Sequence, residues 1–381
     1  MSDLLAFCSV PPAWRLDWQA MESEFAWLRD LAGCPQDPVH HAEGDVVTHT
    51  RMVTEALTEL PAWRTLPDAD RRVVFAAALL HDVAKPPCTR VEPDGRVTSR
   101  GHARRGAIVA RRILWRMGVP FDTREQITAL VRHHMVPFRL LDRPDPRRLA
   151  LQVSQTARCD HLAVLAEADA RGRVCPDAGR MLDSVALFAE FCGEQGCLTG
   201  PYAFPSDHTR FLDFRQEGRD PSVVAHDDCR SEVVLLSGLP GTGKDHWLKA
   251  HWAGRPVVSL DGLRDELDVP PDGPQGAVIS TARARARSLL RAGEPFAWNA
   301  TNLSRMVRET CVNLFAAYKA RVRIFYLEVS EDQLHRQNRL RTAPAPAAVI
   351  ERLLDRWEVP DLTEVHDLVW RVINDPEHAS A

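Results

Sequence analysis

A glycine-rich segment in the second half of the 381-residue chain constrains the fold more than any other feature. It reads Gly-Leu-Pro-Gly-Thr-Gly-Lys-Asp over residues 238–245, after the apolar run 232–237 and before residues of helical character. Without Cβ clashes, its backbone amides can curl around an anion at a helix N-terminus. The segment therefore predicts a strand, a phosphate-binding loop and a helix, in that order.

The loop also suggests a nucleoside triphosphate as its ligand. A lysine at its end can neutralise the β and γ oxygens of ATP, whereas Asp245 stands where such loops usually place the Ser or Thr that binds Mg²⁺. A carboxylate there can hold the ion directly or through water. The candidate ATP-binding residues are Gly238, Leu239, Pro240, Gly241, Thr242, Gly243, Lys244 and Asp245.

The two halves of the chain differ in hydrophobic periodicity. In the second half, helical patterns separate strand-like runs at 233–236, 257–260, 296–298, 322–329 and 368–373, which predicts a parallel five-stranded sheet. The first half shows helical spacing at 71–80, 104–117, 125–133 and 181–191 and is predicted to be all-α. The pattern lapses at 198–228, so we expect domains at 1–197 and 229–381 joined by that segment.

Composition excludes several classes of protein. The formal net charge of −4 excludes a globally basic nucleic-acid coat. The nine cysteines form no Cys-x-x-Cys pair, which is typical of reduced thiols in a cytoplasmic protein. No uncharged apolar run is long enough to cross a bilayer, and no membrane partner is expected.

A scattered histidine and aspartate set in the first half has the composition of a dinuclear metal site. Two divalent ions need several neutral imidazoles and a shared carboxylate, and such a site makes hydroxide from bound water. His81 would bind one ion and Asp82 would bridge both. Lys85, one of only four lysines in the chain, is the candidate substrate contact beside them. The other candidate ligands are His49, His102, His133 or His134, and Asp169.

The residues around this set resemble the HD phosphohydrolase superfamily, in particular its branch found beside tRNA nucleotidyltransferases. The resemblance covers about residues 40–175 and includes Leu-Leu-His-Asp-Val-Ala-Lys-Pro at 79–86 and His-His-Met-Val-Pro at 133–137. Two adjacent histidines, His133 and His134, are alternatives for one ligand position. His134 is favoured by the His-Met-x-Pro phrase, and His133 is the second choice; His40 and His41, near Glu43, are assigned either structural roles or contacts that support the ligands.

The residues after the second predicted strand suggest a phosphoryl acceptor site. Asp261 at a strand's carboxyl end can accept the proton of an attacking hydroxyl, while Arg264 one turn later can hold a substrate phosphate. On spacing alone, Asp261 could instead cap a helix. With Trp298-Asn299-Ala-Thr301-Asn302, residues 230–373 resemble phage-type polynucleotide 5′-hydroxyl kinases.

The kinase resemblance implies roles for further residues. Asp261 would be the general base and Arg264 would bind the acceptor phosphate. Asn299, Thr301 and Asn302 would contact substrate. One or more lid arginines among Arg336, Arg339 and Arg341 would clamp the transferring group, although a solvated helix face explains them equally well.

In this order, an all-α HD domain and an α/β P-loop kinase domain with a helical lid resemble the bacterial HD-Pnk end-healing enzymes. The resemblance implies hydrolysis of 2′,3′-cyclic phosphate and 2′- or 3′-phosphate ends with two divalent transition metals such as Mn²⁺, Ni²⁺ or Co²⁺. It also implies ATP- and Mg²⁺-dependent phosphorylation of 5′-hydroxyl ends of RNA or DNA before sealing by a ligase. The alternatives are a bifunctional small-molecule nucleotide phosphohydrolase and kinase, and a non-catalytic ATP-sensing regulator.

Overall fold

The computed structural model describes residues 4–341 and 343–373, and it divides into two compact units, Met1–Ala203 and Phe204–Ala381. The outer ends of the two predicted domains, 1–3 and 374–381, lie outside the described residues. The division falls inside the segment 198–228 that was predicted to join the domains. None of the helices in the described part is long and apolar enough to cross a membrane.

The first unit is built from helices. After a 3₁₀ turn at Leu4–Phe7 they are α1 (Trp18–Glu24), α2 (Ala26–Arg29), α3 (Val46–Glu59), α4 (Pro61–Arg64), α5 (Asp68–Leu80), α6 (Lys85–Cys88), α7 (His102–Arg116), α8 (Phe121–His133), α9 (Pro146–Ser154), α10 (Cys159–Arg171) and α11 (Ala178–Glu194). A two-residue antiparallel pair, β1 (Arg90–Val91) and β2 (Val97–Thr98), interrupts the predicted all-helical pattern. It closes around Asp94-Gly95, where Gly95 adopts a φ of 83°.

The core of the first unit is centred on α5. Residues 73–80 of this helix are all buried, so its last two turns are apolar around their whole circumference. Helices α3, α8 and α10 pack against it. Gly172 lets the end of α10 approach α3, because a Cβ at this position would lie 2.6 Å from the backbone nitrogen of Val53. This packing brings polar residues near the ends of these helices to one place.

The second unit confirms the predicted parallel sheet of five strands. Its elements are α12 (Asp207–Asp213), β3 (Ser231–Ser237), α13 (Lys244–His251), β4 (Val257–Ser259), α14 (Leu260–Glu266), α15 (Gly276–Ala292), β5 (Phe296–Asn299), α16 (Arg305–Ala316), β6 (Ala320–Val329), α17 (Glu331–Arg339), α18 (Ala347–Leu354) and β7 (Asp367–Ile373). The strand order is β4-β5-β3-β6-β7, and every pair is parallel. All carboxyl ends therefore lie along one edge.

Helix α12 lies within the segment that showed no periodicity in the sequence. Ser206 caps it by accepting a hydrogen bond from the Thr209 amide. Arg210 donates to the backbone oxygens of Leu362 and His366, and Phe211 stacks on His366 at 3.8 Å between ring centroids. This part of the segment 198–228 is thus a packed piece of the second unit, which begins before residue 229.

Candidate functional sites

The first candidate site lies where helices of the first unit end around α5. His49 projects from α3 and Asp169 from α10, while His81 and Asp82 follow α5. His102 begins α7, and His134 follows α8. The structure therefore brings together six of the seven candidate metal ligands.

Asp82 divides the cluster into two groups of nitrogens. Its Oδ2 atom lies 3.1 Å from His81 Nε2 and 3.8 Å from His49 Nε2. Its Oδ1 atom lies 3.4 Å from His102 Nε2 and 3.9 Å from His134 Nε2. Asp169 Oδ1 joins the first group at 3.1 Å from His49 Nε2. Each oxygen of one carboxylate thus faces its own pair of imidazoles.

Backbone carbonyls fix the protonation of these rings. The Nδ1 atoms of His81, His102 and His134 lie 2.7–2.8 Å from the carbonyl oxygens of residues 78, 99 and 131. A carbonyl only accepts hydrogen bonds, so each Nδ1 carries a proton, and each ring in its neutral form presents the lone pair of Nε2 to the cluster. Although burial opposes it, the charge of Asp82 raises the pKa of His81, so His81 presents this lone pair only after it gives up its Nε2 proton. The Nε2 atoms of His102 and His134 lie 3.2 Å apart, and those of His49 and His81 lie 3.4 Å apart.

The donor set fits divalent cations. The oxygens of the buried Asp82 carboxylate make ion pairs but accept no hydrogen bond of good geometry, and although burial opposes ionisation, the charges of His81 and Lys85 hold the pKa of Asp82 well below its ordinary value. Burial, with the charges of His102 and His81, lowers the pKa of His134 to about 3 and keeps that ring neutral. Converging lone pairs around an ionised carboxylate require positive charge between them.

Lys85 supplies part of that charge. Its side chain is almost fully buried, and its Nζ lies 2.7 Å from Asp82 Oδ2 and donates to Gln36 Oε1. Asp169 is compensated separately, because Arg173 Nε and Nη2 donate to its two oxygens at 2.8 Å. The predicted substrate contact Lys85 is therefore placed directly beside the predicted bridging carboxylate.

Glu43 is a member of the site that the sequence analysis did not select. Its Oε1 lies 2.9 Å from His49 Nδ1 and 2.8 Å from His41 Nδ1, and its Oε2 accepts from the Val174 amide. Although burial opposes ionisation, hydrogen bonds from His41 and His49 hold the pKa of Glu43 well below its ordinary range. The sequence signal that could have identified Glu43 was its acidic side chain six positions before the candidate ligand His49.

His133 is the one candidate ligand that lies outside the cluster. Its Nε2 is 3.2 Å from the hydroxyl of Thr156, whereas His134 is almost fully buried among the other imidazoles. The structure thus distinguishes the two adjacent histidines, which the sequence left open.

The second candidate site is the loop between β3 and α13. Gly238 has a φ of 152°, and a Cβ there would overlap the carbonyl oxygen of Leu327. Lys244 Nζ donates to the carbonyl oxygens of Gly238 and Leu239 at 2.8 Å. Burial lowers the pKa of Lys244 to about 8, against the raising effect of Asp245 and Asp261, and Arg341 lowers it further. The loop thus wraps around the ammonium group of its own lysine.

The predicted acceptor residues lie in the first turn of α14, directly after β4. Ser259 caps this helix by accepting from the Gly262 amide, so Asp261 is not the N-cap. The Asp261 carboxylate is two-thirds exposed and accepts a hydrogen bond from Arg264 Nη1. Arg264 Nε donates to Gln275 Oε1 at 2.7 Å. The proposed base and the proposed phosphate-binding arginine are therefore side by side.

The residues after β5 divide into two kinds. Asn299 Nδ2 donates to Asp245 Oδ1 at 2.7 Å, so its side chain reaches the glycine-rich loop. Asn302 is buried and donates to the Leu236 carbonyl, while the Thr301 carbonyl accepts from the Gly238 amide. Asn302 and the Thr301 backbone therefore brace the loop, and substrate contact by these two residues stays a prediction.

The three lid arginines have different surroundings. Arg336 and Arg339 on α17 are exposed, whereas Arg341 is half-buried and near enough to Lys244 for its charge to lower that lysine's pKa. Asn338 packs on the loop, since a Cβ on Gly241 would lie 3.4 Å from its backbone nitrogen. Arg341 is thus the predicted lid arginine with an electrostatic link to the loop.

Comparison with known proteins assigns a domain type to each half. Residues 46–170 match the model of the HD domain, and residues 233–360 match the model of an AAA domain. The "Multifunctional CCA protein" of Halorhodospira halophila is 38% identical over 112 residues, which is 29% of this chain and 24% of that protein. The "A-adding tRNA nucleotidyltransferase" of Deinococcus radiodurans is 41% identical over 110 residues, with the same two shares.

The matches to whole proteins are partial. The chain spans about a quarter of the length of these curated relatives. A solved gluconokinase from Sinorhizobium meliloti shares 18% identity over 38% of this chain and 83% of that one, with a TM-score of 0.28, which is too low to support an argument. By its two family matches, the chain joins an HD domain, which holds the histidine and aspartate cluster, to a P-loop domain of the AAA type.

Proposed function

We propose that the protein heals nucleic-acid ends: the HD domain hydrolyses 2′,3′-cyclic phosphate and 2′- or 3′-phosphate ends, and the P-loop domain phosphorylates 5′-hydroxyl ends with ATP. The observation that carries the proposal is the presence, in one chain, of two different residue sets for phosphate chemistry. One is the carboxylate of Asp82 between two pairs of imidazoles. The other is the glycine-rich loop with Asp261 and Arg264 at the same sheet edge.

In the HD domain, the donors present would hold two divalent ions. Asp82 Oδ2, His49, His81 and Asp169 would face one ion, and Asp82 Oδ1, His102 and His134 would face the other. Such ions lower the pKa of bound water and neutralise phosphate oxygens. Lys85 would give up its contact with Asp82 when cations arrive, and its ammonium group could then pair with a phosphate oxygen of the substrate.

In the P-loop domain, the sheet order places the reacting groups. Asp261 follows β4 and Lys244 follows β3, with β5 between them. Two strand spacings separate the two strand ends by about 10 Å, which leaves room for a phosphoryl group between a donor and an acceptor. Asp261 would accept the proton of the attacking hydroxyl, and Lys244 would turn from its carbonyl partners to the phosphates of ATP.

The preference for a polynucleotide rests on Arg264. Its guanidinium lies against the proposed base, so an anion on the acceptor next to the attacking hydroxyl would find a donor there. The 3′-phosphodiester of a nucleic-acid end is such an anion, and a free nucleoside has none. The resulting 5′-phosphate and 3′-hydroxyl ends would be substrates for a ligase.

The test compares substrates of different size at both ends. Specificity constants would be measured for an oligonucleotide with a 5′-hydroxyl and a 2′,3′-cyclic phosphate, for a nucleoside and for a nucleoside 2′,3′-cyclic monophosphate. We expect the oligonucleotide to be preferred in both reactions. Equal or better use of the mononucleosides in both would replace the proposal by small-molecule nucleotide metabolism, and the absence of both reactions would support an ATP-sensing regulator.

A further inference from the structure

Three cysteines that the sequence placed at unrelated positions meet in the interior of the first unit. Cys159 begins α10, Cys192 lies in the last turn of α11, and Cys197 follows that helix. All three side chains are fully buried, and their sulfur atoms lie within 4.8 Å of one another. None of them belongs to the histidine and aspartate cluster.

The backbone holds the three segments together independently of the thiols. The amide of Cys197 donates to the carbonyl of Cys192 at 2.9 Å, and the amide of Asp160 donates to the carbonyl of Leu198 at 2.9 Å. The sulfur positions therefore follow from main-chain hydrogen bonds. A tetrahedral zinc site with Zn–S bonds of about 2.3 Å separates its sulfurs by about 3.8 Å, so rotamer adjustments of about 1 Å would suffice.

Charge selects a divalent ion for this cluster. Three thiolates around a monovalent ion would bury two net negative charges, whereas a divalent ion leaves one. Cys159 is the first residue of the 13-residue helix α10, so its sulfur lies at the N-terminal end of that helix. The positive end of the helix dipole would offset the remaining charge.

Ser154 provides a candidate fourth ligand, a hydroxyl oxygen next to Cys197. Its hydroxyl accepts a hydrogen bond from the Tyr202 amide and donates to the Leu151 carbonyl. The serine oxygen, or a water bound to it, could complete a tetrahedral shell.

A second cluster, in the other unit, also consists of residue types that bind metals, but the position of the proton on one of its histidine rings excludes a metal ion. His208, Cys229 and His366 lie within 4.8 Å of one another. The Val322 amide donates to His366 Nδ1, which places the ring proton on Nε2, 3.1 Å from His208 Nδ1. His366 thus has no lone pair to offer a metal, and this cluster is a chain of hydrogen bonds.

We propose that Cys159, Cys192 and Cys197 form a structural zinc site in the first unit. The site would tie the start of α10 to the end of α11. Asp169 lies ten residues further along α10, about 15 Å away, so the bound ion would fix the helix that carries a candidate ligand of the other cluster without joining its chemistry.

The experiment is a cobalt titration of the full-length protein after metal removal, under reducing and oxygen-free conditions. Thiolate ligands give Co²⁺ a near-ultraviolet charge-transfer band, whereas the nitrogen and oxygen donors of the other cluster do not. We expect the band to saturate by three equivalents, because the other cluster can take two Co²⁺ ions, and to reach the intensity of one thiolate-bound ion per protein. Excess Zn²⁺ should abolish it. Its absence in the wild-type protein would overturn the proposal, whatever the variants show.

Matched serine variants locate the sulfur ligands. Cys192→Ser should lose most of the band, while Cys229→Ser, in the hydrogen-bonded cluster, should keep it. Circular dichroism would verify that both variants fold. A band that disappears with Cys229→Ser and persists with a folded Cys192→Ser would contradict the assignment. These spectra do not depend on either proposed enzymatic activity.

Discussion

Glu43→Gln tests how the histidine and aspartate cluster is oriented for metal binding. The Glu43 side chain is 1% exposed and serves three donors: the Nδ1 atoms of His41 and His49 through Oε1, and the Val174 amide through Oε2. Glutamine offers a single acceptor oxygen. Its NH₂ group would face either the Val174 N–H or the two imidazole N–H groups. At least one buried donor would then lose its partner.

The expected loss follows from this count of partners. A buried donor without a partner costs about 1–3 kcal/mol. If the His49 ring turned its proton to Nε2 to relieve the conflict, it would lose the lone pair that faces Asp169 and Asp82. Loss of a group that orients a metal-binding histidine typically weakens metal affinity about 10–100-fold, or about 1.4–2.7 kcal/mol. We predict that range for the affinity of Glu43→Gln for Mn²⁺.

Calorimetry with the full-length protein measures this affinity directly. The phosphoesterase should need about 10–100 times more Mn²⁺ for half-maximal rate, while the kinase rate should stay unchanged. Glu55→Gln is the control, since Glu55 is half-exposed on the same part of the chain and pairs only with Arg51 across one helical turn. A folded Glu43→Gln protein with wild-type Mn²⁺ affinity would refute the orienting role.

Three further predictions concern the second unit. Burial lowers the pKa of Lys244 to about 8, and a bound phosphate would raise it again, so above pH 8 the binding of ATP should take up a proton and its affinity should fall up to about tenfold per pH unit. Calorimetry in buffers of different ionisation enthalpy measures this proton uptake, and zero uptake would contradict the prediction. Arg264→Ala should lower kcat/KM about 10–100-fold for an oligonucleotide and a nucleoside 3′-monophosphate but not for a nucleoside, and equal losses for all three would place its role elsewhere. A fragment 204–381 should fold and phosphorylate ends, whereas a fragment 229–381, which lacks Arg210 and Phe211, should have a free energy of unfolding at least about 3 kcal/mol lower. Equal melting temperatures of the two fragments would contradict the packing of α12.

The sheet of the second unit was predictable because its central strands are buried. Parallel strands covered on both faces are continuous apolar runs, and 233–236 and 322–329 stand out from their polar surroundings. Helix α12 was hidden, because its seven residues include one large aliphatic and one aromatic side chain and no sustained period. Its signal was the capping pair Ser206 and Thr209 within an otherwise irregular segment.

The residue types of the candidate sites could be predicted from the sequence, whereas the directions in which the side chains point were harder to predict. Adjacent residues of a helix point about 100° apart, so the sequence could not tell which of His133 and His134 faces the cluster. Motif resemblance likewise placed Asn302 after β5 but could not show that its amide reaches back to Leu236. The meeting of three distant cysteines depends on the packing of α10 against α11, which no spacing in the sequence encodes.

The central claim, that each domain processes its own kind of end, is tested most directly with one doubly reactive oligonucleotide. It carries a 5′-hydroxyl and a 2′,3′-cyclic phosphate and is incubated with ATP, Mg²⁺ and Mn²⁺. Wild type should yield 5′-phosphate and 3′-hydroxyl ends. Asp82→Ala should process only the 5′ end, and Lys244→Ala only the 3′ end. Retained 3′ processing in Asp82→Ala, or retained 5′ processing in Lys244→Ala, would contradict the account.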